Sequence, residues 1–110
     1  MLVYDVYKIV ALSKKDISTA KFFLWLNEGI SELVNSYANA EDSGTYTDLQ
    51  EEMKLDVKFK NALADYILAM AATDSDMYNK YMSAYLNAAM NASFAAGKGK
   101  RHRIPVPRFR

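Results

Sequence analysis

Apolar residues recur at steps of three and four along most of this chain, and that spacing predicts helices rather than strands. Val3, Val6, Tyr7 and Val10 mark a first short helix over residues 3–12. Ser13-Lys14-Lys15-Asp16 reads as a turn. A second helix starts near Ser18, whose hydroxyl can accept from an orphan backbone N–H of the first turn. Phe22, Leu26, Ile30, Leu33, Val34 and Tyr37 form its apolar stripe, which Phe23 and Trp25 widen. Gly29 lies inside this helix at a cost of roughly 1 kcal/mol relative to alanine, and a close helix crossing would account for it.

The pattern then turns polar. Asn39-Ala40-Glu41-Asp42-Ser43-Gly44 opens a loop that runs to about Asp48. Thr45-Tyr46-Thr47 suits a brief extended piece, and Asp48 to Met53 a helical turn. A third helix is expected from about Asp56 to Ala72, with Phe59, Leu63, Tyr66, Ile67, Met70 and Ala71 on its apolar face. Thr73-Asp74-Ser75-Asp76 breaks the pattern and offers caps for a fourth helix over Ser75 to Ala96. A connection that short makes the two helices antiparallel neighbours. Tyr78, Tyr81, Met82, Tyr85, Ala88, Ala89 and Ala92 are assigned to the inner face of the fourth helix, and Gly97 stops it. The expected fold is all-α, a small bundle of about four helices over residues 1–96 with an extended C-terminal tail over 97–110.

Composition adds constraints. The 110 residues fit one domain, and 51% apolar content supports a packed core. Cysteine is absent, which excludes disulfides, thiolate metal sites and a Cys nucleophile. No apolar run approaches a membrane span, and Met1-Leu2-Val3-Tyr4-Asp5 lacks the features of a signal peptide, so synthesis in the cytoplasm and no membrane partner are expected. Net charge is only +1, yet it is divided unevenly. All thirteen acids lie between Asp5 and Asp76, and with eight lysines they leave the body at −5. Lys98, Lys100, Arg101, Arg103, Arg108 and Arg110 give the tail +6. An acidic body with a basic arm places the arm's partner elsewhere, on another molecule or on a neighbouring copy.

Enzyme chemistry finds little footing. His102, the one histidine, sits between Arg101 and Arg103 and has no orienting carboxylate nearby in the sequence, so a solvated or interface role suits it. Gly97-Lys98-Gly99-Lys100 lacks the strand–loop–helix setting of a phosphate loop. Glu28 and Glu32 share a helix face, and Glu51 and Glu52 are adjacent, but a carboxylate metal site of the bundle type also needs histidine. These carboxylates read as a solvated face. No catalytic residue, metal or cofactor is expected.

Two features point to association instead. Eight tyrosines favour interfaces, because each covers a large area and keeps a polar tip. Trp25, Tyr46, Tyr78, Tyr81 and Tyr85 are the candidates for subunit contacts, and the tyrosines of the fourth helix can also be read as core or as a base-stacking platform. The tail carries sparse apolar residues among its cations: Ile104, Val106 and Phe109, with Pro105 and Pro107 between them. Prolines favour extended geometry and lower the entropy lost on docking. Fourteen extended residues reach on the order of 45 Å. A peptide that orders on a protein partner fits these residues. A nucleic-acid arm and an idle solvated tail are the other readings.

Segments of the body resemble a known family. Phe22-Phe23-Leu24-Trp25-Leu26-Asn27-Glu28-Gly29-Ile30-Ser31-Glu32-Leu33 is similar to the second helix of tailed-bacteriophage head–tail connector (adaptor) proteins. Leu55-Asp56-Val57-Lys58-Phe59-Lys60-Asn61-Ala62-Leu63-Ala64-Asp65-Tyr66-Ile67-Leu68 resembles their third helix. Ala71-Ala72-Thr73-Asp74-Ser75-Asp76 followed by Tyr81-Met82-Ser83-Ala84-Tyr85 matches their connection into the fourth. The resemblance covers about residues 4–96. It departs where many members carry a longer, partly β insertion, a place held here by residues 39–55. It implies a structural virion protein of the neck, made in the host cytoplasm and assembled into a ring, commonly of twelve subunits. Its partners would be the portal protein, docked by the C-terminal tail, and tail or neck proteins, with packaged DNA a further contact.

Overall fold

The computed structural model describes residues 1–14, 16–42 and 44–96. Lys15, Ser43 and residues 97–110 lie outside the described residues. Four helices are present: α1 (Val3–Ser13), α2 (Thr19–Ser36), α3 (Lys60–Ala71) and α4 (Ser75–Ala96), with a short 3-10 turn at Val57–Phe59 leading into α3. No strand occurs among the described residues, so the fold is an all-α bundle, as the periodicity predicts.

The helix starts follow local chemistry. The Ser18 hydroxyl accepts from Lys21 N–H at 3.2 Å and opens α2 at the expected residue. Asp56 accepts from Lys58 N–H and starts the 3-10 turn. Asp74 accepts from Met77 N–H at 2.8 Å at the head of α4. The Asp5 carboxylate reaches back to Leu2 N–H at 2.9 Å, while Val3 and Tyr4 N–H donate to the carbonyls of Glu51 and Leu49. Residues 49–53 therefore run beside the start of α1, and Leu2 and Glu52 form an isolated antiparallel bridge. This corrects the expected helical turn over Asp48–Met53. Only one turn closes there, Glu51 N–H to Asp48 C=O, because the following carbonyls satisfy the orphan donors of α1.

Helix α3 is the hub. It packs against α1, α2 and α4, most extensively α4. Its burial is broader than one stripe: Ala62, Leu63, Ala64, Ile67, Leu68 and Ala69 are all buried, while Tyr66, Met70 and Ala71 are half-buried. A helix surrounded by three others buries several faces at once, and alanine lets them approach. Gly29 sits at the α2–α3 crossing. A Cβ there would stand 2.7 Å from Leu63 Cδ1 and 2.9 Å from Tyr66 Cδ2, so the close approach requires glycine. Phe22, Leu26, Ile30 and Leu33 supply the buried stripe of α2, and Val3, Val6 and Val10 that of α1. The three-residue connection Ala72–Asp74 folds α4 back along α3, where the rings of Tyr66 and Tyr85 meet edge-on at 5.4 Å.

Candidate functional surfaces

The connection between α2 and the 3-10 turn lacks regular structure yet is densely bonded. Asn27, on α2, donates to Tyr46 C=O and accepts from Tyr46 N–H, both at 3.0 Å. The expected extended piece at Thr45–Thr47 thus pairs with a side-chain amide, not with another strand. The Tyr46 hydroxyl donates to the Asp42 carboxylate at 2.9 Å and accepts from Lys54 N–H at 3.1 Å. Asp42 also accepts from Gly44 N–H at 2.8 Å and Leu55 N–H at 3.0 Å. Burial pushes the Tyr46 phenol above its ordinary pKa, with the Asp42 charge adding to that and the Lys54 N–H opposing it. Asn39 donates to Ser93 C=O at 2.8 Å and ties the same connection to α4. With Ala40, Tyr46, Met53 and Leu55 buried, the segment is part of the core.

This geometry divides the interface candidates. Tyr46 is 7% exposed and Tyr85 4% exposed, so both belong to the subunit's own core and leave the set of surface residues. Burial pushes the Tyr85 hydroxyl up to about 12, helped by the nearby Tyr37, Glu32 and Tyr66. Trp25 and Tyr81 are half-buried against the core, and Tyr81 has the Lys80 ammonium 5.3 Å from its ring centre. Tyr78 is the most exposed of the five and does not join the inner face of α4. The tail residues Lys98, Lys100, Arg101, Arg103, Ile104, Val106, Arg108, Phe109 and Arg110 lie outside the described residues, as does His102.

The carboxylate pairs hold no metal constellation, and no group of three metal-ligating side chains occurs among the described residues. Glu28 and Glu32 face solvent on α2. Glu51 accepts from Thr47 and Asp48 N–H, and Glu52 pairs with the Met1 ammonium at 2.7 Å. Asp65 is the acid displaced by its surroundings: partial burial raises its carboxyl above the usual range. No described helix is long and apolar enough to cross a membrane.

Two exposed apolar surfaces lie outside the single stripes that the periodicity marks. On α4, Leu86, Met90 and Phe94 follow one another at steps of four and are each about half exposed, at 50%, 51% and 55%. They lie beyond the inner row of Tyr85, Ala89 and Ala92. The signal is in the sequence: Leu86, Met90 and Phe94 recur at steps of four beside an inner row that turns to alanine after Tyr85. On α1, Tyr4, Tyr7, Lys8, Ala11 and Leu12 line an open groove, with Leu12 82% exposed at its edge. Comparison with family models, with curated proteins and with solved structures finds no match to this chain.

Proposed function

We propose that this protein is a structural subunit of a bacteriophage head–tail connector, assembled as a ring in the virion neck and held to the portal by its basic C-terminal tail. The observation that carries the reading is the division of the chain into an acidic helical body at −5 and a tail at +6 that mixes cations, prolines and spaced apolar residues. A body whose hydrogen-bonded connection closes on itself leaves the tail and the bare apolar helix faces as its means of holding partners. The resemblance over α2, α3 and the α3–α4 connection supports the same reading.

The test removes the tail. Deleting residues 98–110 should leave the helical signal and thermal melt of the body unchanged while abolishing binding to purified portal rings. Retained portal binding by the truncated chain would refute the docking role. A small helical nucleic-acid-binding protein is the second reading, favoured by the cationic density of the tail. It predicts tight DNA binding by the isolated chain, falling steeply with salt as counterions are released. The connector reading predicts rings in electron micrographs and weak, partner-dependent contact with DNA.

A further inference from the structure

We draw no further inference here: the strongest candidate, the exposed apolar row of Leu86, Met90 and Phe94 on α4, carries nothing because nothing in the structure shows what covers it.

Discussion

The connection from Tyr37 to Asp56 and helix α4 invert the usual association of regular structure with self-sufficiency. Among its described residues the connection has no helix or strand, yet Asn27, Asp42, Glu51 and the Tyr46 hydroxyl bond several of its backbone groups, and Ala40, Tyr46, Met53 and Leu55 are buried. Helix α4 satisfies its own backbone by geometry, yet it leaves Leu86, Met90 and Phe94 in water. Backbone regularity and burial are separate requirements. A loop can meet both through a few polar side chains, and a long helix can meet the first while leaving the second to a partner.

The largest expected effect comes from breaking the node of the connection. Asp42→Ala removes the acceptor for Tyr46 O–H, Gly44 N–H and Leu55 N–H together. Hydrogen bonds to charged groups contribute roughly 1.5–3 kcal/mol each, less where water can replace the partner, so a loss of about 3 kcal/mol is expected. Urea unfolding at neutral pH would measure it. A loss near zero would mean that packing of Ala40, Met53 and Leu55 alone holds the segment. Asn27→Ala should come next, at about 2 kcal/mol, because it leaves both backbone groups of Tyr46 without their partner. Asn27→Asp restores only the acceptor half of that pair, so it should recover only part of the loss.

Which of these features the sequence discloses depends on the range of the interaction. Ser18, Asp74 and the span of α4 are legible because a cap involves residues two or three apart. Gly29 is legible in type, since a glycine inside a helix invites a crossing, though Leu63 and Tyr66 as the crossed residues are not. The all-round burial of α3 is hidden by short-range pattern: Ala62, Ala64, Leu68 and Ala69 become core only because three helices surround them. The Asn27–Tyr46 pairing spans nineteen residues and rests on one amide, with no periodic signal. Residue type alone points Tyr46 and Tyr85 to interfaces, but it cannot separate a tyrosine that covers a neighbour from one that fills its own core.

Those two tyrosines sharpen the comparison through pH. Tyr85 is held mainly by packing, and its folded pKa of about 12 stands above the usual 10. With a raised folded pKa, the stabilising contribution is complete below the unfolded value and is lost as pH rises from 10 towards 12, because the unfolded chain releases its proton first. The slope from this one group is at most about 1.4 kcal/mol per pH unit. Tyr37, Tyr46 and Tyr66 are shifted in the same direction and steepen the loss. Unfolding at successive alkaline pH values should show this decline, and Tyr85→Phe should reduce it. At neutral pH the ranking should reverse. Tyr46→Phe strips a donor from Asp42 and an acceptor from Lys54 N–H, for about 1 kcal/mol, while Tyr85→Phe removes no described hydrogen bond and should cost less. Equal effects would mean that the connection's hydrogen bonds contribute nothing beyond packing.

The smallest effect on the isolated fold is expected on the outer row of α4. Leu86→Ser and Met90→Ser, made together, exchange half-exposed apolar side chains for polar ones that already occur on this helix at Ser83 and Ser93. Serine has lower helix propensity than leucine or methionine by a few tenths of a kcal/mol, while the change lessens exposed apolar area, so a shift within about 0.5 kcal/mol follows. The same double change in the connection, at Met53 and Leu55, would empty buried positions and cost several kcal/mol, about 2 or more at each. A melt of the α4 double variant at a concentration where the wild type is monomeric distinguishes the two regions. If it fell as far as the buried pair, Leu86 and Met90 would be supporting the subunit's own core. If it stayed in place while melting at high concentration lost its concentration dependence, the stabilisation these side chains provide would belong to the assembly, since a partner that binds only the folded state raises apparent stability by mass action.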